Sequence, residues 1–530
     1  MDRRSFLALG VALPVAGCYK VPCAGSSWQN ASATQCITPE VIARPVSAME
    51  LVSLVREAER HGKRVRMTGT GHSYSDVALT QDYLLLPTGL EGLLPLSRER
   101  LRVDQACDPH LVRVGSGSTI RFLNQVLDAQ GLALETLGGW DAQTIAGVAM
   151  TSTHGSGLAH GPIASQIVSM QLVTTDGEMR QIEPECGITE PKGFPGTLED
   201  DPRIPIKLIQ SDPIFQACVV SMGTMGVLYS VTLKTIDRFW MREKRELVSW
   251  RDLSKKGGYL ESYLAHPRDP AFPDDVEATV CPYPRGERDT DHECLLTQRW
   301  RLRTEPLPTA ESRTRGLLGE GHILADPFAR KFTEGALATL LNGASKRELA
   351  GIHHDMMAVL VDPEYVDLSY KVFNLGDINR MRVWGIEMSF SLSQTIQATE
   401  RMFAIAAEQY AARRHHSVPV TLRFVRASDA MLSIQQGRDT TMMEIGALVQ
   451  ARESEKLLQT YERTLMTEFQ ARPHWGLDLS ILTSFAQVAQ LFPRAGEWLK
   501  VYKELNSRGT FDGRLTDRLG ISIHPRKSKG

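Results

Sequence analysis

An excess of charge of either sign is missing from this sequence: 60 Lys and Arg stand against 62 Asp and Glu, a net charge of −2. That balance removes the electrostatic pull by which basic chains hold nucleic acid, so no nucleic-acid partner is expected. Sustained heptads and solenoid-length repeats are absent, which excludes coiled coils and repeat arrays. The eight cysteines include no CxxC pair and no zinc-type spacing, so no metal site is expected from them. What remains is 530 residues, 42% hydrophobic and 23% charged, enough for two or three packed domains.

The start of the chain reads as a targeting segment rather than as fold. Arg3 and Arg4 precede an apolar run from Phe6 to Ala16, too short to cross a bilayer as a helix. "RRSFL" is similar to a twin-arginine export signal, a route that carries folded proteins. "VAGC" resembles a lipobox, which would make Cys18 a lipidated first residue; cleavage nearby without lipid is the other reading. Residues 1–17 are therefore expected to be removed, and the mature protein to reside in a bacterial periplasm or cell envelope. Membrane contact is expected only through a lipid on Cys18. In such a compartment Cys23 and Cys36 could pair, while Cys107 and Cys218 read as small core residues.

Periodicity then places the elements. Ser47 caps a helix with Met49, Val52, Leu54 and Val55 as its apolar stripe and Gly62 as its stop. "RVRMTGTGHS" is a strand entering a glycine loop. "LVRVGSGSTIRFLNQVLDAQGLAL" is strand, turn and helix, with Ser118 as cap and Gly131 as stop. "IVSMQLVTTDGEMRQI" is a hairpin with Asp176–Gly177 at its tip. Residues 187–213 read as a surface insertion, followed by a helix with Asp212 as N-cap and Pro213 first inside. Helices and strands mix without a regular βαβ beat, so the fold class is α+β rather than doubly wound. Further on, "VWGIEMSF" and "VPVTLRFVR" alternate. Trp384, Ile386, Met388 and Phe390, and Val418, Val420, Leu422 and Phe424, form one face. Glu387 and Ser389, and Thr421 and Arg423, form the other. A helix over residues 393–413 is expected to back the apolar face through Ile396, Phe403 and Tyr410.

Gly69 and Gly71 let successive backbone N–H groups approach one anion, but the loop lacks the ending of a phosphate-binding Walker motif and is no Rossmann fingerprint. His72 behind it is, by itself, more often a turn residue than a reactive one. Two more glycine-rich pieces, "LETLGGWDAQTIAGVAMTSTHGSG" and "MGTMGVLYSVTL", suggest a long flat cofactor threaded between subdomains. Together, "TGTGHSYSD", "GSTIRFLNQVLDAQGLAL", "GGWDAQTIAGVAMTSTHGSG" and "GTMGVLYSVTL" resemble the FAD-binding domain of the vanillyl-alcohol oxidase (PCMH-type) superfamily. "RPHWG" and "YKELNSRGTFDGRLTDRLG" resemble its sugar-lactone and alditol oxidase branch.

The resemblance implies an FAD-binding domain of two subdomains over residues 37–238. A cap domain with a helix-flanked antiparallel sheet would follow over 239–465, and a segment returning to the first domain over 466–530. It implies that Thr68, Gly69, Thr70 and Gly71 form the pyrophosphate loop, that Ser73 also binds the cofactor and that His72 bonds covalently to the flavin, although noncovalent FAD with His72 merely nearby is the alternative. Thr144, Gly147 and Val148 would be further flavin contacts, and Gly226 and Val227 would lie near the adenine. Gly138 would occupy the gatekeeper position that leaves O2 a path to the flavin.

The substrate motifs depart from the branch. Its Glu-x-Arg is here Thr421-Leu422-Arg423, its His-Trp-Gly-Lys is His474-Trp475-Gly476-Leu477, and the serine after the gatekeeper is Gly139. Arg423 could still hold a carbonyl, carboxylate or alkoxide oxygen. Glu387 is the candidate base, or else a structural partner for Arg382 or Arg423; His474 is a second base or a packing residue. The expected activity is an oxidase acting on a CH–OH group of a small alcohol or lactone, with O2 as acceptor and peroxide as product. The alternatives are a dehydrogenase using a respiratory acceptor and a noncatalytic envelope lipoprotein that binds a ligand.

Overall fold

The computed structural model describes residues 27–266, 268–285, 291–302, 304–306, 334–373 and 382–526; the segment expected to target the protein, Cys18 and Cys23 lie outside them. Cys36 is disulfide-bonded. No described helix is long and apolar enough to cross a membrane.

The α+β expectation holds, with three main sheets. A small parallel sheet orders Val41–Ala43, Tyr83–Leu85 and Val65–Met67. The helix Ala48–Arg60 packs on it, capped by Ser47, whose side chain accepts from Glu50 N–H. Its buried face is Ala48, Leu51, Val52, Val55 and Ala58; Met49, expected in the stripe, is exposed. A five-stranded sheet runs Ile206–Gln210, Met179–Glu183, Ile167–Val173, Val227–Lys234, Leu111–Gly115. The Asp176–Gly177 tip is confirmed, both residues having positive φ.

Several local expectations need correction. The segment 187–213 is not only surface: Ile206–Gln210 is an edge strand parallel to Met179–Glu183, and Ile188, Leu198 and Ile204 are buried. Thr119 rather than Ser118 caps the helix Ile120–Asp128, accepting from Phe122 N–H. Ser211 precedes the helix Asp212–Val219, and Asp212 instead accepts from Glu185 N–H. Cys218 is buried as expected, whereas Cys107 is exposed.

From Trp240 onward the chain builds an eight-stranded antiparallel sheet. Its order is Asp362–Leu368, Trp240–Ser249, Glu293–Leu302, Asp275–Val280, Val420–Val425, Thr440–Leu448, Val383–Ser391, Arg472–Pro473. The side-chain period of two gives it an apolar and a polar face. Ile386, Met388, Phe390, Val420, Leu422 and Phe424 form one core with the helices Thr395–Ala411 and Ser454–Phe469. The first helix packs through Ala398, Met402, Phe403 and Ile405, with Ile396 and Tyr410 only half-buried at its margin. The end of the chain returns to the first two sheets. The helix Ala495–Leu505 packs on Asp212–Val219, and Arg518 and Asp517 pair with Asp76 and Arg64.

The outer part of the larger sheet buries His353 and His416 beside Tyr283. Burial lowers the His353 pKa from 6.5 to about 4, and burial with the neighbouring His353 and His415 lowers that of His416 to about 3. The folded state therefore favours neutral rings, while the unfolded chain takes protons below about pH 6.5. The contribution of these two rings to stability is complete above that pH and is lost as pH falls toward 4. Denaturant unfolding across this window should show that loss, and His353→Phe should recover about 1–2 kcal/mol of it at pH 5.

Candidate active site

The glycine loop after Val65–Met67 lines a groove. Thr68, Gly69, Thr70, Gly71, His72 and Ser73 line one side; Thr144, Gly147, Met150, Thr151 and Thr153 line another; Gly223, Gly226 and Leu228 extend it; His474, Gly476 and Leu477 lie at its edge. The close packing explains the small residues. A Cβ on Gly69 would lie 2.3 Å from Thr144 Oγ1, and Thr144 is committed as the N-cap of Ile145–Met150, accepting from Gly147 N–H at 3.2 Å. Gly71 and Gly226 have φ of 78° and 150°, which side-chain-bearing residues rarely adopt. The Thr70 hydroxyl donates to Ala142 O at 2.8 Å and lies 3.0 Å from His72 Nδ1, orienting that ring at the groove.

Two expected contacts do not line this groove. Val148 and Val227 are buried in separate apolar cores, because helix and strand periodicity turns their side chains away; Gly147 and Leu228 present the groove wall instead. Gly138 stands beside it, where an added Cβ would meet His154 O at 3.4 Å and Thr153 Cγ2 at 3.5 Å, ordinary contacts.

The polar face of the large sheet meets the groove at His474. Arg423, on Val420–Val425, is surrounded by three carboxylates: Glu444 at 2.5 Å, Glu387 at 3.4 Å and Glu277 at 3.9 Å. Their charges outweigh burial and raise its pKa. Glu444 stands directly opposite both Thr421 and Glu387 in the sheet register. It thus supplies, from a neighbouring strand, the acid that position 421 lacks. Thr421 lies 3.2 Å from the hydroxyl of Thr279. Beyond Glu277 the ion pairs continue through Arg299 and Glu243 to Arg245, each link between 2.8 and 3.0 Å.

Glu387 is buried, and the partner anticipated for it, Arg423, holds its Oε1. Its Oε2 lies 3.1 Å from His154 Nε2. The other His154 nitrogen, Nδ1, faces Gly155 O at 2.8 Å, so both ring nitrogens point at acceptors. Burial alone would raise the Glu387 pKa; His154, His474 and Arg423 reverse this and hold it well below the usual carboxylate range. His474 is buried, and burial outweighs Glu387 to lower its pKa to about 4. Gly476 N–H donates to its Nδ1 at 3.0 Å. The neutral ring therefore carries its proton on Nε2 and is a donor, not the second base anticipated for it. Donor atoms of His154, Glu387 and His474 lie within 4.8 Å of one another, a set that could hold a cation. Glu387 Oε1 also holds the Arg423 guanidinium, and His474 Nδ1 accepts from Gly476 N–H. Sequence reasoning passed over His154, although "STHGSG" displayed it, and Glu444, whose partner is set by register alone.

The groove suits a long flat anionic cofactor: glycine-lined loops admit close backbone approach, and the buried Arg66 guanidinium along it has an unpartnered Nε. Comparisons with known proteins agree. An FAD binding domain family matches residues 39–183, and the D-arabinono-1,4-lactone oxidase family matches residues 330–519. An L-gulono-1,4-lactone dehydrogenase of Mycobacterium tuberculosis is 27% identical over 453 residues, covering 85% of this chain and 89% of that protein. An L-gulonolactone oxidase of Scyliorhinus torazame is 25% identical over 496 residues, covering 92% and 96%. A solved cholesterol oxidase from B. sterolicum aligns with a TM-score of 0.70 at 14% identity, covering 93% of this chain and 96% of its own, a likeness of fold. The chain thus carries an FAD binding domain and is an FAD-linked oxidoreductase similar to the sugar-lactone oxidases.

Proposed function

We propose that the protein is an exported oxidase that converts a CH–OH group of an uncharged lactone-, polyol- or alcohol-like substrate to a carbonyl, passing two electrons to O2 and forming H2O2. The observation that carries this reading is that His474, which lines the cofactor groove, lies beside Glu387, which in turn holds Arg423. Thr68–Ser73, Thr144, Gly147 and Gly226 would hold FAD, which would supply the acceptor for the hydride of the carbinol carbon. Glu387 takes the substrate's hydroxyl proton. His154 and Arg423 fix one carboxylate oxygen each, so the acceptor is ionised and oriented before substrate arrives. His474 Nε2–H donates to the substrate oxygen. Three carboxylates around Arg423 leave no surplus positive charge, which disfavours a carboxylate substrate and favours a neutral carbonyl or hydroxyl oxygen.

His72 is the proposed covalent attachment site, supported by its place on the groove and its orientation by Thr70. Gly138 supports O2 access, because no side chain stands there. A second reading, a dehydrogenase with a respiratory acceptor, draws on the 27% identical relative of that activity; rapid reoxidation of reduced protein by air would exclude it. Export by the twin-arginine route with lipid on Cys18 rests on Arg3–Arg4 and "VAGC", and the Cys36 disulfide fits an oxidising compartment.

Acid precipitation of the holoprotein should leave yellow colour in the pellet, and His72→Ala should move it to the supernatant. Colour that stays with the mutant pellet would rule out this attachment site. Arg423→Ala should slow anaerobic flavin reduction by at least about tenfold while the flavin stays bound. The lowered pKa values keep Glu387 ionised and His474 neutral. Stopped-flow reduction should therefore show no acid limb from either group between about pH 5 and 8.

A further inference from the structure

Arg66 is the middle residue of the strand Val65–Met67 that leads into the glycine loop. Its side chain is buried, yet it has no carboxylate within ion-pair distance among the described residues. One guanidinium nitrogen donates to Gly223 O at 2.7 Å and Phe511 O at 3.1 Å; the other donates to Val77 O and Met222 O. Nε has no partner. The nearest acids are committed elsewhere. Asp76 holds Arg518 through both oxygens, and Asp512 accepts from Tyr502, Asn506 and His524 N–H. A buried guanidinium is ordinarily matched by an anion. Here burial lowers its pKa to about 10, the mark of a charge left uncompensated.

The missing anion has a place. Arg66 lines the cofactor groove between the Thr68–Ser73 loop and the Gly223–Gly226 turn. Met222, whose carbonyl it holds, has a φ of 51°, a strained value for a residue with a side chain. We propose that Arg66 is the buried counter-charge for the cofactor's diphosphate and, through its carbonyl bonds, the residue that sets the turn against which that diphosphate lies. The proposal rests on FAD occupying this groove.

The test uses the full mature chain carrying His72→Ala, so that flavin can be removed, and titrates it calorimetrically with FAD, ADP and AMP. The parent should bind FAD and prefer ADP to AMP. Arg66→Met should weaken FAD and ADP by at least about tenfold and abolish the preference for ADP. Arg66→Lys, which keeps the charge but not the fork, should retain that preference even where its Tm falls. Should the Met variant not fold, the Lys variant decides alone: loss of its ADP preference would overturn the proposal. Equal weakening of ADP and AMP in Arg66→Met, or no weakening, would reduce Arg66 to a structural clamp. A parent that binds ADP and AMP but no FAD would overturn the cofactor assignment and the proposal with it.

Discussion

The arrangement of the site depends on one buried carboxylate. Glu387 belongs to the large sheet, yet it is held by His154 from the glycine-rich segment and by Arg423 two strands away. Without those partners burial would favour its neutral acid form. With them it remains an anion and joins the two halves of the molecule where groove and sheet meet. Arg423 is tied in turn to Glu277 and Glu444, and Glu277 to Arg299 and Glu243. The polar face of the sheet is thus a ladder of alternating charges, and its last rung, Glu387, lies beside His154 and His474. Removing one partner from such a ladder strands its neighbours, which is why the site and the sheet cannot vary independently.

Much of this was legible in the sequence, for identifiable reasons. Strand alternation places Glu387, Thr421 and Arg423 on one face whatever the tertiary detail, and the structure keeps them there. Glycine spacing marks the Thr68–Ser73 loop because close packing against Thr144 tolerates no side chain at Gly69. Other features depend on contacts between residues far apart in the chain. His154 meets Glu387 across 233 positions, and Glu444 is recognised as an acid for Arg423 only once the register of Val420–Val425 with Thr440–Leu448 is known. Val148 and Val227 belong to motifs whose neighbours line the groove, but helix and strand phase turn them into the core. The edge strand Ile206–Gln210 escaped because Pro, Gly and acid dominate the segment before it, and its pairing with Met179–Glu183 is parallel and nonadjacent in the chain.

The departures from the branch's substrate motifs now have a physical reading. The acid absent at position 421 is compensated by Glu444, so Arg423 keeps a full set of carboxylates. Leu477, where the branch has lysine, lines the edge of the groove without charge. The site loses hydrogen-bonding capacity for a polyhydroxylated chain while the charge on Arg423 remains neutralised.

The central claim is that this neutralised arginine selects an uncharged substrate. The direct test is a spectral titration of the flavin in the holoprotein with D-arabinono-1,4-lactone and, separately, with the D-arabinonate anion made by opening its ring. The account predicts that the lactone binds at least about tenfold more tightly than the anion. Tighter binding of the anion would show that Arg423 remains available to a carboxylate and would contradict the account.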